Sequence, residues 1–144
     1  MRIAIVDDLA DERVLLRQRL EHQLARRNVQ ADLLEYESGE AFLTAAQDEP
    51  FTVAFLDIYM AGANGIETAR ALRQHNTDCL LIFTTTSTDH ALEGFQVRAM
   101  QYLVKPFTED DIAQLMDEIF ARLPQPDKYM ALKTSEGELR LAYK

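Results

Sequence analysis

Cysteine occurs once, at Cys79, so no disulfide can form within the chain. Its place at the head of an apolar stretch is that of a small hydrophobe. No apolar run exceeds strand length, which excludes a membrane-spanning helix. The opening residues, Met1-Arg2-Ile3-Ala4-Ile5-Val6-Asp7-Asp8, are too short and too acidic at their end to form a secretion signal. A lone thiol without an export signal gives a cytoplasmic location as the expectation. Basic residues are scarce too: 15 Lys and Arg stand against 24 Asp and Glu, for a net charge of -9. The deficit is uneven. Residues 1–123 carry 11 basic against 21 acidic side chains, whereas residues 124–144 carry 4 against 3. So acidic a segment repels the phosphate backbone, and any DNA function is expected outside it. His22, His75 and His90 lack metal-site spacing and read as surface histidines. No internal repeat or low-complexity stretch is present.

What is there is a regular alternation. Residues 2–6 form a short apolar strand followed by two aspartates. Residues 11–27 read as a helix with Leu16, Leu20 and Leu24 on one face and an acidic first turn. A second strand covers 31–36, and Ser38 caps a helix to about 47, with Ala41, Phe42 and Ala45 facing inward. A third strand, 52–57, again finishes on an aspartate. A helix from about 64 to 74, a fourth strand at 79–84, a less hydrophobic helix near 88–95 and a short strand at 102–104 follow. The last helix carries Ile112, Leu115, Met116, Ile119, Phe120 and Leu123 at helical spacing, and Thr108 with Asp111 resembles a capping box. Five βα units predict a parallel sheet with helices on both faces. Strands one, three and four are nearly continuous apolar runs and suit the interior, while two and five suit edges. The expected order is 2-1-3-4-5, the flavodoxin-like doubly wound α/β arrangement. Pro124 and Pro126 stop the helix, so residues 1–123 form one domain and 124–128 a linker. Residues 129–144 read as a hairpin around Ser135-Glu136-Gly137, the start of a second domain that continues beyond them.

In this strand order the crevice lies at the carboxyl ends of strands one and three. Asp7, Asp8 and Asp57 stand there. Three carboxylates close together repel one another, and a hard divalent cation such as Mg²⁺ resolves the conflict. Asp7 and Asp8 equally suit a cap on the first helix. Thr84-Thr85-Thr86 and Lys105-Pro106 close strands four and five, bringing a hydroxyl and an ammonium to the same edge. A lone lysine at a strand end is usually a solvated charge, but here it faces acids. Nucleophile, metal ligands, hydrogen-bond donor and cation together make a phosphoryl site.

Asp7-Asp8, Leu56-Asp57-Ile58-Tyr59-Met60, Asn64-Gly65-Ile66-Glu67, Phe83-Thr84-Thr85 and Tyr102-Leu103-Val104-Lys105-Pro106-Phe107 resemble the signature of response regulator receiver domains, the CheY-like form of this fold. The resemblance runs from residue 2 to about 122. It implies that Asp57 accepts a phosphoryl group from a sensor histidine kinase and that this chain is a signalling domain, not an enzyme. It further implies that Asp8, Asp57 and the backbone carbonyl of Tyr59 ligate Mg²⁺, with Asp7 acting through a bound water. Thr85 and Lys105 would contact phosphoryl oxygens, and the Lys105–Pro106 bond would be cis. Thr85 and Tyr102 would form the switch that remodels the face of helix four, strand five and helix five; simple edge packing is the other role open to Tyr102. The stretch from Phe83 to Phe107 is similar to receivers of LytTR-type (LytR/AgrA-like) transcription regulators. On that likeness, residues 129–144 are the first strands of a LytTR-like DNA-binding domain, the only part that would meet DNA. The helix-four face could serve a homodimer or an intramolecular lock.

Three positions depart from the receiver pattern. Ala61 replaces a common proline, so the loop after Asp57 is expected to be less rigid. Thr86 takes a place usually held by a smaller residue, and Tyr59 is bulky; both are expected to crowd hydrolytic water and lengthen the phosphoryl lifetime. Two other functions share the fold or the nucleophile. A haloacid-dehalogenase-type phosphatase wants a second acid two residues after the nucleophile, where this chain has Tyr59. A flavin carrier wants a Ser/Thr/Gly-rich loop where Asp7-Asp8-Leu9-Ala10 stand. A pseudo-receiver that only binds partners would not need the complete acid set.

Overall fold

The computed structural model describes residues 1–60, 62, 64–87 and 89–123. Five parallel strands alternate with five helices: β1 (Arg2–Val6), α1 (Ala10–Arg26), β2 (Asp32–Tyr36), α2 (Gly39–Asp48), β3 (Val53–Asp57), α3 (Gly65–Arg73), β4 (Leu80–Thr85), α4 (Ala91–Gln96), β5 (Gln101–Val104) and α5 (Glu109–Arg122). The sheet order is β2-β1-β3-β4-β5, as the alternation predicts. β3 is buried along its whole length, and β1 and β4 are buried after their first residue. The edge strands β2 and β5 are mostly half-buried or exposed.

Side chains of a strand alternate between faces, and the core divides accordingly. Ile3, Ile5, Val53, Phe55, Ile82 and Leu103 pack beneath α1 and α5. Ala4, Val6, Ala54, Leu56, Leu81 and Phe83 turn to the other side, against Phe42 of α2 and Ile66, Ala69 and Leu72 of α3. Both faces are therefore covered, as a parallel sheet requires. Each large side chain fully buried here contributes roughly 1.5–3 kcal/mol.

The helix ends follow local chemistry. Ser38 caps α2 by accepting the Ala41 N–H. α3 and α5 each begin with a capping box, Asn64 with Glu67 and Thr108 with Asp111. Two expectations need correction. Ala41 faces solvent, because Phe42, fully buried, sets the inward face of α2. α4 begins at Ala91, not near 88, because Ser87 Oγ accepts the Asp89 N–H and holds a turn ahead of the helix. Thr88, Ala61, the expected linker 124–128 and the expected hairpin 129–144 lie outside the described residues. Among the described residues no helix is long and apolar enough to cross a membrane.

Candidate functional site

The strand order reverses direction around β1 and β3, and the acids sit where those strands end. Asp7 follows β1, Asp57 is the last residue of β3, and both are 5% exposed. Asp8 is exposed. Each of the three offers a carboxylate oxygen, and these atoms lie within 4.8 Å of one another. An all-oxygen donor set with one solvent-facing side fits a hard divalent cation that keeps some of its waters.

Local bonds hold the acids in place. Asp7 Oδ1 accepts the Leu9 N–H at 3.0 Å, and its backbone carbonyl accepts from Arg13 Nη1 at 2.7 Å. The N-cap of α1 is Leu9, which has no side-chain cap. At β3, Ile58 N–H donates to the Thr84 carbonyl and Gly65 N–H donates back to the Ile58 carbonyl at 3.0 Å. A Cβ on Gly65 would overlap the Asp57 carbonyl oxygen, so only glycine lets α3 start this close to the acid.

Lys105 closes the site from β5. Its ammonium lies 3.1 Å from Asp7 Oδ2, 3.2 Å from Glu12 Oε1 and 3.5 Å from Asp57 Oδ1. Burial works to lower the lysine pKa, but the surrounding carboxylates, Asp57 foremost, outweigh it and raise the value. Asp57 is shifted the other way from an ordinary acid. Burial, aided by the Asp7 charge, pushes its carboxyl up from 3.8 to about 6, against the pull of Lys105. The Lys105–Pro106 peptide is cis, and the Lys105 N–H donates to the Thr85 carbonyl at 2.7 Å.

The remaining expected residues are spread along the rim. Thr85, the last residue of β4, is fully buried, and its hydroxyl accepts the Ser87 N–H. Thr86 is exposed. Tyr59 is 50% exposed, and its hydroxyl meets His90 Nε2 at 3.1 Å with the rings edge to face. Tyr102 is half-buried over Phe83 and donates its hydroxyl proton to the His90 carbonyl. A Cβ on Gly94 would overlap that hydroxyl, so α4 leaves room for the ring. Two participants were not singled out by sequence reasoning. Glu12 reads only as part of an acidic first turn, and His90 as a surface histidine; partly exposed, it also meets Tyr59 through its ring and Tyr102 through its backbone carbonyl. Only the tertiary fold brings these residues to their partners.

A doubly wound sheet with acids and a lysine at its switch point defines a class, and comparison with known proteins gives the family. The response regulator receiver domain family model matches residues 3–117. The chain belongs to that family: it is a receiver domain of a two-component response regulator. It is 33% identical over 116 residues to the sensory transduction protein LytT of Bacillus subtilis (strain 168), covering 81% of this chain and 46% of that protein. It is 36% identical over 118 residues to the positive alginate biosynthesis regulatory protein of Pseudomonas aeruginosa, with the same coverage of 81% and 46%. The chain thus spans about half the length of the curated relatives it matches. Among solved structures, it superposes on the response regulator protein TrrA from Thermotoga maritima in complex with Mg²⁺-BeF with a TM-score of 0.70 at 27% identity, covering 82% of this chain and 97% of that one. The response regulatory domain of mrkE from Klebsiella pneumoniae, at 24% identity and a TM-score of 0.71 over 84% of this chain and 96% of that one, shares the fold.

Proposed function

We propose that Asp57 accepts a phosphoryl group from a sensor histidine kinase, with Mg²⁺ held by Asp8, Asp57 and the Tyr59 backbone carbonyl and with Asp7 acting through a water. The observation that carries the reading is the convergence of Asp7, Asp8, Asp57 and Lys105 at one end of the sheet. A carboxylate oxygen of Asp57 attacks phosphorus, and the bond from phosphorus to the donor breaks. The leaving imidazole of a phosphohistidine, or acetate from acetyl phosphate, departs with that electron pair. The bound cation would neutralise charge on the transferring oxygens. Lys105 supplies a second positive charge, and Thr85 a hydroxyl once it turns from Ser87. The acyl phosphate brings new negative charge to a nearly closed site, which biases Thr85 and Tyr102 and through them the α4–β5–α5 face.

The same reading extends past residue 123. Residues 124–128 serve as a linker, and 129–144 open a LytTR-like DNA-binding domain through which transcription is controlled in the cytoplasm. The match covers 46% of LytT and 46% of the alginate regulator, which supports an output domain beyond it. The face of α4, with Leu92 and Phe95 exposed, is the surface for a homodimer. A haloacid-dehalogenase-type phosphatase is disfavoured because Tyr59 stands where its second acid would be.

Incubation with acetyl phosphate and Mg²⁺, read by intact mass, tests the central step. A single phosphoryl adduct that disappears in Asp57→Ala is expected; no adduct, or one that survives the substitution, overturns it. Tyr59, two residues after Asp57, and Thr86, directly after β4, would slow the return of water. Tyr59→Asn and Thr86→Ala should therefore lose the phosphoryl group faster than wild type, and unchanged or slower loss in both refutes that role.

A further inference from the structure

We propose that Glu12 is a positioning residue that competes with the phosphoryl group for Lys105 and so sets how readily Asp57 is charged. The inference rests on the reading of Asp57 as the acceptor and adds a residue to it. An ammonium has three N–H donors, and Lys105 faces three carboxylates, those of Asp7, Glu12 and Asp57. Two of these have other duties. Asp7 Oδ1 is engaged by the Leu9 N–H, and Asp7 and Asp57 both belong to the group of acids that could hold a cation. Glu12 belongs to neither set. It reaches in from the first turn of α1, and its side chain is 34% exposed against 7% for Asp57.

A donor directed at Glu12 is one not directed at a phosphoryl oxygen. When that group arrives on Asp57, Lys105 must release one carboxylate, and Glu12 can return to water at the least cost. The pair at 3.2 Å therefore holds Lys105 toward α1 before phosphorylation and yields afterwards. A plainer role exists for Glu12, since an acidic residue in the first turn favours the α1 dipole. The two roles separate by variant. Glu12→Asp keeps the charge and the dipole contact but is one methylene short of Lys105. Glu12→Gln keeps the length and removes the charge.

The test measures the initial rate of Asp57 phosphorylation by acetyl phosphate at fixed Mg²⁺ and low salt. Wild type, Glu12→Gln, Glu12→Asp, Lys105→Ala and the Glu12→Gln/Lys105→Ala double variant are compared. Beryllofluoride affinity is measured in parallel, since it does not depend on turnover. Release of one partly exposed ion pair predicts a gain of about three- to five-fold for both Glu12→Gln and Glu12→Asp, in rate and in beryllofluoride affinity. The gain should vanish in the Lys105→Ala background, because the effect passes through that side chain. Unchanged or slower phosphorylation of Glu12→Gln overturns the proposal. So does a gain that persists without Lys105, or one confined to Glu12→Gln, since either would mean simple repulsion of the donor. Failure of wild type itself to take a phosphoryl group on Asp57 overturns the parent reading and this inference together.

Discussion

Replacing Asp57 by asparagine should stabilise the metal-free protein at neutral pH. The carboxyl is buried beside Asp7 and Asp8, and its pKa stands at about 6 where an unfolded chain has 3.8. The folded state therefore binds the proton more tightly than the unfolded state does. Its contribution to stability is complete below pH 3.8 and is lost as pH rises through about 6. At 1.36 kcal/mol for each pH unit between the two values, ionised Asp57 costs the wild type about 3 kcal/mol at pH 7. Asparagine fills the same volume without ionising, and Lys105 retains Asp7 and Glu12. For a domain of this size that difference corresponds to a melting temperature higher by on the order of 10 °C. Thermal unfolding of both proteins in a chelator, followed by circular dichroism from pH 4 to 8, measures it. The gap should open between pH 4 and 6 and then level off. An Asp57→Asn variant no more stable than wild type at pH 7.5, or a gap equally wide at pH 4, refutes the reasoning.

Other consequences are as direct. Mg²⁺ should raise the wild-type melting temperature, with about 2.7 kcal/mol of stabilisation at a free concentration 100 times its dissociation constant; Asp8→Asn and Asp57→Asn should blunt the response, and equal shifts in all three proteins would remove these acids from the binding set. Gly65→Ala forces a methyl onto the Asp57 carbonyl and should cost about 1–3 kcal/mol in urea unfolding; an unchanged midpoint would contradict the close approach of α3 to β3. Burial pushes the Cys79 thiol up to about 12, so a thiol reagent at pH 8 should label it only on unfolding, and rapid labelling of the native protein would show the β4 start to be open.

Much of this was legible before the structure because the relevant signals are local. Continuous apolar runs mark β1, β3 and β4 as interior strands, and the i, i+3, i+4 series of α5 predicts six residues inward: Ile112, Leu115, Met116 and Ile119 are buried, while Phe120 and Leu123 pack half-buried at the edge of the same core. The Thr108–Asp111 capping box lies within four residues and reads directly from the chain. Ala41 was misplaced because a methyl group gives almost no signal of which way a helix faces. Periodicity alone places the start of α4 too early, because a serine turn competes with the helix ahead of Ala91. Glu12 and His90 give no local signal for a different reason. Each acquires its partner only when separate strand ends converge, and no spacing within α1 or α4 records where Lys105 or Tyr59 will arrive.

The clamp on the loop after Asp57 has a consequence for how such a chain can diverge. Backbone bonds from Ile58 to Thr84 and from Gly65 to Ile58 pin both ends of the loop without using the side chains between them. Tyr59, half exposed within this loop, takes part in neither bond, so its side chain can change while the acid stays where the sheet puts it. Under the proposed reading, a lineage that changed Tyr59 would alter how long a phosphoryl group persists while Asp57 keeps its place at the end of β3.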